Sequence, residues 1–282
     1  MIALEQLNFG YGRTPLFREL SLDLKAGGIT GLLGKNGVGK TTLLKLISGL
    51  RFAQSGWCRV MGRSSAERPA ALLQELFFLP EAFTLPALSL GTYLKLYAPF
   101  YPRFEASRFH QYLEDFEVPA DASLTSLSFG QQKKFMLAFG LATNCRLLLL
   151  DEPTNGLDIP SKSRLRQMLA AFWAEDHLAL IATHQAREVQ YIIDAVIILQ
   201  DGDVIFNHSL ERVAARIAIE VLPVAPDSSE ALLVQTIPGG FAVVTANREG
   251  DESDLDLEIL FNTVTANPQR MDALCASEEY HD

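Results

Sequence analysis

The amino-acid sequence predicts an α/β fold: a core on a mixed sheet with antiparallel edge strands, an inserted helical subdomain and a small C-terminal α+β appendage. Three observations support this prediction. Runs rich in Leu, Ile and Val recur without polar alternation, which favours parallel strands that are buried on both faces. These runs lie at residues 29–33, 77–79, 147–150, 178–182 and 195–199. Few β-branched residues occur from about 83 to 140, and the charge changes after residue 208.

Antiparallel strands are expected at the margin of this core. Segments 2–7 and 20–24 have the pattern of half-exposed strands. Asp201-Gly202 predicts the turn of a hairpin over residues 197–206, because this dipeptide suits the backbone of a tight turn between strands. The sheet is therefore expected to be mixed rather than entirely parallel.

The helical subdomain, at about residues 83–140, carries eight aromatic residues between Tyr93 and Phe116. Buried aromatic side chains are common in small helical cores, so most of them are expected to pack inside the subdomain. Exposed aromatic patches also mark sites of protein interaction, so some of the eight are candidates for a groove that receives a helix of a partner. The sequence alone does not separate the two groups.

Charge divides the 282-residue chain into two parts. Residues 1–208 contain 20 Lys and Arg against 20 Asp and Glu, whereas residues 209–282 contain 4 against 14, so the second part carries the whole net charge of −10. We therefore expect a core domain over 1–208 and a small acidic accessory region over 209–282. In that region, a helix over 209–219, a hairpin around Pro238-Gly239-Gly240 and a helix capped near Ser253 predict a β–β–α arrangement.

Composition also excludes several classes of protein. The acidic balance argues against nucleic acid as a partner, because neutralising phosphates requires clustered Lys and Arg. Three scattered cysteines without metal spacing indicate reduced thiols in a cytoplasmic protein. No secretory signal is evident, and no apolar stretch approaches the ~20 residues of a spanning helix. We expect a cytoplasmic protein that contacts a membrane only through a partner.

The strongest chemical signal is a glycine-rich loop that follows the predicted strand 29–33 and opens a predicted helix over 41–48. It fits the pattern G-x-x-x-x-G-K-[ST], in which glycines let successive backbone N–H groups face phosphates. Lys40 is expected to reach the β- and γ-phosphates, and Thr41 to hold Mg²⁺. The loop predicts a P-loop nucleoside triphosphatase core. Its residues are Gly34, Lys35, Asn36, Gly37, Val38, Gly39, Lys40, Thr41 and Thr42.

An acidic pair follows the four leucines at 147–150. A buried strand there places Asp151 at its carboxyl end, the edge where ligands of α/β sheets bind, and Asp151 suits the Mg²⁺ shell. Glu152 points elsewhere and is expected to orient or deprotonate an attacking water. A strand that ends in Asp is weak evidence alone and becomes strong beside a phosphate-binding loop.

Three further fragments occur in order with these two: Leu127-Ser128-Phe129-Gly130-Gln131, Pro153-Thr154-Asn155-Gly156-Leu157-Asp158 and Thr183-His184. In the first, Ser128 and the amides of Gly130 and Gln131 are predicted to form a second anion-binding helix start. With all five motifs in this order, the sequence resembles the ATP-binding cassette (ABC) ATPase family over about residues 2–206.

The resemblance implies ATP and Mg²⁺ as cofactors and gives roles to single residues. Tyr11 would stack on adenine, although an aromatic residue in a strand also suits the core. Ser128 and Gly130 would contact the γ-phosphate bound to the opposite subunit, since family members work as head-to-tail dimers. Asp158 would bridge the two halves, and His184 would contact the γ-phosphate.

Two positions depart from the family pattern. Phe129 stands where the family usually has Gly in the signature fragment, which changes packing at the expected dimer seam. Glu81 replaces the family's Gln after the second core strand. A carboxylate is still a good ligand for Mg²⁺ or its water, so we count Glu81 with Thr41 and Asp151 as candidate metal ligands. An ionised Glu does not donate a hydrogen bond, which puts the linkage to a membrane partner in doubt.

The resemblance favours the nucleotide-binding subunit of an ABC transporter, an ATPase that drives separate membrane permease subunits as a homodimer or a dimer of two cassettes. It would be cytoplasmic and peripheral on the inner face of the membrane. A loose resemblance of residues 254–261 to C-terminal regions of export-type cassettes favours export. The alternative is a soluble, non-transport ABC ATPase of translation or DNA maintenance. A regulatory cassette without turnover is disfavoured, because Glu152 and His184 are both present.

Overall fold

The computed structural model of the chain describes residues 1–172, 174–226, 231–247 and 253–276. The strands are β1 Ile2–Tyr11, β2 Thr14–Leu24, β3 Gly28–Leu33, β4 Ser55–Val60, β5 Arg63–Ser64, β6 Leu76–Leu79, β7 Leu147–Asp151, β8 Leu178–Thr183, β9 Ala195–Gln200, β10 Asp203–Ser209, β11 Ile217–Leu222, β12 Leu233–Ile237 and β13 Gly240–Ala246. The helices are α1 Lys40–Ile47, α2 Ala70–Leu73, α3 Leu90–Tyr97, α4 Ala106–Asp115, α5 Phe129–Ala142, α6 Ile159–Ala171, α7 Ala186–Val189, α8 Leu210–Arg216, α9 Leu257–Ala266 and α10 Pro268–Ala276.

The strands form three sheets. A four-stranded antiparallel sheet has the order β2-β1-β4-β5, and a six-stranded central sheet has the order β10-β9-β3-β8-β7-β6. The central sheet is parallel except for β10, which pairs antiparallel with β9. A third antiparallel sheet has the order β11-β13-β12. The predicted α/β fold with a mixed sheet is confirmed, and β10 is its antiparallel edge strand. The strands expected over 2–7 and 20–24 belong to β1 and β2, which form a separate sheet with β4 and β5, two strands that the sequence did not predict.

The central sheet is buried on both faces. Along β7, Leu148 and Leu150 belong to a hydrophobic cluster shared with the helical segments, whereas Leu147 and Leu149 belong to a second cluster with α1 and the antiparallel sheet. Successive side chains of a strand point to opposite faces, so an uninterrupted apolar run supplies both clusters at once. This packing explains why the predicted core strands lack polar alternation.

The parallel pairing brings three functional segments to one edge of the central sheet. Leu33 at the end of β3 pairs with Thr183 at the end of β8, and Asp151 at the end of β7 pairs with Ala182. The carboxyl ends of parallel strands lie together, and ligands of such sheets bind there. The glycine-rich loop, the acidic pair and His184 therefore lie next to one another at this edge of the sheet.

The helices α3, α4 and α5 pack around aromatic side chains. The ring of Phe139 lies with centroid distances of 5.2 to 6.2 Å from those of Phe77, Tyr93, Tyr101, Phe104 and Phe109. Tyr112 and Phe116 are buried as well, so most of the predicted aromatic set forms an internal core. Tyr97 and Phe100 remain exposed, at 38% and 65%, beside the exposed Leu96.

The accessory region differs from the predicted β–β–α arrangement. The hairpin around Pro238-Gly239 is confirmed, but a third strand, β11, and a final helix, α10, accompany it. The helix expected over 209–219 is wrong in its last residues, because Ile217 begins β11 and Ile219 pairs with Val244 of β13. The β-branched side chains there favour a strand once a neighbouring strand is present.

Asp256, rather than Ser253, caps the helix α9. The Asp256 carboxylate accepts hydrogen bonds from the backbone N–H groups of Glu258 and Ile259, at 2.8 and 3.0 Å. The Ser253 hydroxyl instead donates to the carbonyl of Ile217 at 2.5 Å, which ties the segment before α9 to the start of β11. The predicted cap was therefore placed three residues too early.

The accessory region packs directly on the core. Buried side chains of α9, α10 and the third sheet share one hydrophobic cluster with Val196, Ile198 and Phe206 of the central sheet. Nε2 of His208 forms a 2.7 Å hydrogen bond with Asp272 of α10. The boundary between residues 208 and 209 stays a prediction based on charge.

The three cysteines, Cys58, Cys145 and Cys275, are free and buried. Burial raises the pKa of the Cys145 thiol to about 12 and that of Cys275 to about 11, and it also raises the pKa of Cys58. Within the described part of the chain, no helix combines the length and the apolar character needed to cross a bilayer.

Candidate nucleotide-binding site

A cleft of about 450 Å³ opens at the carboxyl edge of the central sheet. It is bounded by the glycine-rich loop, the start of α1, the segment after β6, the acidic pair and the histidine after β8. Its lining residues are Tyr11, Leu16, Asn36, Gly37, Gly39, Lys40, Thr41, Thr42, Glu81, Asp151, Glu152 and His184. Most of the predicted site residues therefore come together on one surface.

The loop before α1 requires glycine at Gly39. This residue has φ of 112°, in the left-handed region, and a Cβ atom there would lie 2.7 Å from the ring of Phe17. The turn brings Lys40 to the first position of α1, where Nζ donates to the carbonyls of Gly34 and Lys35 at 2.7 and 3.1 Å. Burial lowers the pKa of Lys40. A buried ammonium group and the free N–H groups of a helix start together favour an anion.

Among the side chains that line the cleft, the Asp151 carboxylate is the one best suited to bind a cation. Its carboxylate is 1% exposed, and Oδ2 accepts a hydrogen bond from the hydroxyl of Thr41 at 2.7 Å. Burial raises its pKa. Among the described residues, none forms a hydrogen bond with Oδ1 of Asp151, so a buried oxygen is left for another partner. Hard cations favour carboxylate and hydroxyl oxygens, so the pair fits Mg²⁺.

Glu81 also lines the cleft and stands on its exposed side. Its Oε1 accepts a hydrogen bond from Nδ2 of Asn155 at 3.2 Å, and Oδ1 of Asn155 accepts one from Nε2 of Gln185 at 3.0 Å. This chain connects the segment after β6 with the residue next to His184. Glu81 stays a candidate for the metal shell together with Thr41 and Asp151.

The Glu152 carboxylate is held by the end of β8. Oε1 accepts from the backbone N–H of His184 at 3.0 Å and from the ring Nδ1 at 2.7 Å, and Oε2 accepts from the hydroxyl of Thr183 at 2.9 Å. Its backbone has φ of 45°, which residues with a Cβ rarely adopt. Glu152 and His184 are thus adjacent and oriented toward each other at the cleft wall.

Tyr11 lies at the outer wall of the cleft. Its ring is 50% exposed, packs edge-on against Phe9 and places its hydroxyl 3.0 Å from the hydroxyl of Thr42. An exposed ring beside the phosphate loop is accessible for stacking, as the adenine role requires. That role stays a prediction.

Several of the predicted binding residues are not on the lining of this cleft. Gly34 and Lys35 contribute carbonyls that accept hydrogen bonds from Lys40, and Val38 packs against the hydrophobic cluster around α1. Ser128 and Gln131 form a capping box at the start of α5. Asp158 caps α6 by accepting from the backbone N–H of Ser161 at 2.8 Å.

The signature segment lies on the molecular surface. Ser128 is exposed, and Phe129 is 51% exposed with its ring stacked on Phe83 at a centroid distance of 6.0 Å. A Cβ atom on Gly130 would lie 2.9 Å from the carbonyl of Gly156, so glycine allows α5 to approach the loop after the acidic pair. This surface position is the one expected if the segment serves a second subunit.

Comparison with known proteins establishes the family. A family model described as ABC transporter matches residues 17–155. The ABC transporter ATP-binding protein YtrB of Bacillus subtilis (strain 168) is 31% identical over 206 residues, which cover 72% of this chain and 70% of YtrB. The chain belongs to the ABC ATPase family. The aliphatic sulfonates import ATP-binding protein SsuB of Granulibacter bethesdensis is 32% identical to this cassette over 207 residues, 72% of the cassette chain and 81% of SsuB.

Solved structures share the fold of the cassette. The structure of an ATP-binding subunit of an ABC transporter aligns with a TM-score of 0.68 at 23% identity, covering 76% of this chain and 91% of the other. A dimeric cassette in a post-hydrolysis state, bound to ADP and Pi, aligns with a TM-score of 0.65 at 23% identity, covering 74% and 98%. These likenesses show that the cassette has the fold that the sequence predicts. Its place among the ABC ATPases rests on the sequence relatives.

The sequence did not single out four residues that support the site: Lys133, Asn155, Thr183 and Gln185. Asn155 and Thr183 lie inside motifs already quoted but were given no role there, and Gln185 directly follows one of these motifs, because polar residues in such loops suggest no specific contact. Lys133 had a detectable signal, because it lies four residues before the buried Leu137 and hence on the inward face of α5. A lysine on such a face requires a partner in the interior.

Proposed function

We propose that this cassette is the nucleotide-binding subunit of an ABC transporter, which hydrolyses Mg·ATP in a head-to-tail dimer and drives separate permease subunits. One observation carries the proposal: the cleft brings Lys40, Asp151, Glu152 and His184 to one edge of the central sheet. A phosphate-binding loop, a buried carboxylate with a free oxygen and an oriented glutamate are the groups that phosphoryl transfer to water requires.

The side chains divide the chemistry among them. Lys40 and the N–H groups at the start of α1 would bind the β- and γ-phosphates. Thr41, Asp151 and Glu81 would hold Mg²⁺. This ion would neutralise negative charge on the phosphate oxygens. Glu152 would accept a proton from the attacking water, and His184 would hold the Glu152 carboxylate and contact the γ-phosphate. Tyr11 would stack on the adenine.

The exposed signature segment supports a dimer with shared sites. Ser128, Gly130 and Gln131 lie outside the cleft of their own chain, at the start of a 14-residue helix. The positive end of this helix suits an anion, and the Gln131 N–H, which donates to the Ser128 hydroxyl at 3.3 Å in the single chain, would have to exchange that bond for one to the anion. A second cassette in head-to-tail orientation would place these groups against its partner's γ-phosphate, with Asp158 near the seam. The similar solved cassette is itself dimeric.

An apolar patch on the helical subdomain supports a membrane partner. Leu96, Tyr97 and Phe100 are 54%, 38% and 65% exposed and lie at the end of α3 and in the turn that follows it. Exposed apolar groups of this size favour protein contact. We propose that a cytoplasmic segment of the permease occupies this patch, which keeps the cassette peripheral on the inner face of the membrane.

Export is the direction favoured by the C-terminal region, and it stays a prediction, since SsuB is named as an import protein. The rival function is that of a soluble ABC ATPase without a permease. Both questions depend on the partner, because the cleft performs the same hydrolysis in either case.

The test is to isolate the affinity-tagged chain from gently solubilised native membranes and to identify what accompanies it. An integral membrane protein in fixed ratio is expected. Phe100→Glu should reduce that ratio at least about tenfold by placing a charge on the apolar patch, while Val221→Glu, a matched change at an exposed apolar position of the third sheet, should not. A homodimer without a membrane protein, or with ribosomes, would favour the soluble class.

A further inference from the structure

Lys133 is a buried cation that the proposed chemistry does not use. It lies on α5, its side chain is 0% exposed, and Nζ donates to the backbone carbonyl of Glu152 at 2.5 Å. Burial lowers the pKa of Lys133, whereas the charges of Glu81, Asp151 and Glu152 oppose that shift. A buried ammonium group is unfavourable unless nearby acceptors and negative charges compensate it. The burial of this cation beside Glu152 therefore points to a role there.

The peptide that Lys133 contacts has an unfavourable conformation. Glu152 is in the left-handed region, and three hydrogen bonds to its backbone groups hold it there, two from the backbone and one from the Lys133 side chain. Its N–H donates to Ala182 at 2.8 Å, and its carbonyl accepts from the N–H of Asn155 at 3.2 Å as well as from Lys133. The first bond joins Glu152 to the neighbouring strand β8, and the second closes the local turn. Lys133 holds the same carbonyl from α5, so it adds a side-chain contact to the backbone pairing. This conformation turns the carboxylate toward Thr183 and His184 rather than along β7.

We propose that Lys133 is a positioning residue for Glu152, which fixes the left-handed peptide and offsets the negative charge of the three carboxylates at the cleft. The inference rests on the proposed role of Glu152 in activating water. Lys133 does not line the cleft, so it acts through Glu152 and not on the nucleotide.

The place of Lys133 on α5 adds a second consequence. The same helix begins at Ser128, five residues earlier, where the γ-phosphate of the partner subunit is proposed to bind. A movement of α5 on dimer closure would therefore reach the Glu152 peptide of the same chain through Lys133. Ser128 at the start of α5 would contact the nucleotide of the partner subunit, and Lys133 would contact Glu152 of its own chain.

The experiment compares Lys133→Met, which removes charge and donors, with Lys133→Gln, which keeps an N–H donor. Lys25→Met, at an exposed lysine, is the matched control. For Lys133→Met we expect kcat to fall between about tenfold and about 100-fold, the loss typical of a displaced catalytic group. The Kd of a fluorescent ATP analogue should stay within about twofold, and the control should retain wild-type values. The kcat of Lys133→Gln should lie between that of Lys133→Met and that of the wild type.

A double-variant series separates positioning from general stability. If Lys133 acts through Glu152, Lys133→Met should cause no further loss of residual turnover in a Glu152→Gln background. Equal losses in both backgrounds, or an ATP affinity that falls with kcat, would overturn the proposal. So would wild-type kcat in Lys133→Met. If Lys133→Met does not fold, Lys133→Gln carries the same comparison. A wild-type chain without ATP turnover would refute the proposed function itself.

Discussion

Asp158 links a local contact to the acid stability of the protein. Its carboxylate accepts from the Ser161 N–H at 2.8 Å and from Nζ of Lys134 at 3.1 Å. These hydrogen bonds, that of Ser161 first, lower its pKa to about 2. Because the pKa of Asp in an unfolded chain is about 4, the charged form stabilises the fold fully above that pH. Its contribution is lost as the pH falls toward about 2.

Asp158→Asn keeps a side-chain acceptor at the start of α6 but removes the charge. We expect the wild type to be the more stable protein at pH 6, with the difference shrinking as the pH falls from about 4 to about 3. Urea-unfolding midpoints of both proteins over this range measure the difference. A gap of constant size down to pH 3 would exclude the charge of Asp158 as its source.

At the level of single residues, sequence motifs predicted the residues that line the cleft better than the residues that hold them in place. Lys40, Asp151, Glu152 and His184 were found because their spacing follows the strands and turns that place them. Lys133 was missed, since a Lys-Lys pair on a helix usually faces solvent. Its partner is 19 residues away on another element. Local sequence carries no record of such a contact, apart from the inward face that Lys133 occupies.

At the level of elements, the buried parallel strands were the easiest to predict, because burial on both faces leaves an uninterrupted apolar run. The strand β4 was missed, since its sequence, Ser-Gly-Trp-Cys-Arg-Val, is mostly exposed and begins with weak strand formers. The helix predicted over 209–219 wrongly includes the first three residues of β11. Ile217–Leu222 becomes a strand only through pairing with β13, whose partner residues lie 19 to 29 positions later (241 − 222 and 246 − 217).

The cap of α9 is a test of how the accessory region is held. Asp256→Ala removes the acceptor for two N–H groups of the first turn and should lower the free energy of unfolding by about 1 kcal/mol. Asp254→Ala, which removes the same charge from an exposed residue two positions earlier, should change it by less than about 0.5 kcal/mol. Chemical denaturation of the three proteins gives both values. Equal losses in the two variants would show that charge, and not capping, stabilises α9.

At the level of the whole molecule, the charge boundary near residue 208 and the packing do not coincide. The accessory region carries the net charge, yet its apolar side chains share a cluster with the central sheet. Arg187, three residues after His184, pairs with Glu258 of α9 at 2.7 Å. Sequence composition detects differences along the chain, whereas shared packing depends on the folded arrangement, which explains the disagreement.

Dimer formation is the prediction that belongs to the whole molecule. Glu152→Gln should bind Mg·ATP without turning it over, so that the closed dimer accumulates. Light scattering after size exclusion should show a dimer with Mg·ATP and a monomer with Mg·ADP, while the wild type returns to monomer as ATP is consumed. A variant that stays monomeric with Mg·ATP at every concentration would contradict shared sites.

Because its three thiols are buried, the native cassette should react only slowly with reagents that modify cysteine. Only the thiolate attacks a maleimide, and burial both blocks access and holds Cys58, Cys145 and Cys275 in the thiol form. A spectroscopic probe therefore needs no cysteine-free background. A single introduced thiol at an exposed position, such as Tyr191→Cys at a side chain that is 82% exposed, would carry the label alone. Paired labels across a dimer would then follow its opening and closing in the otherwise unaltered protein.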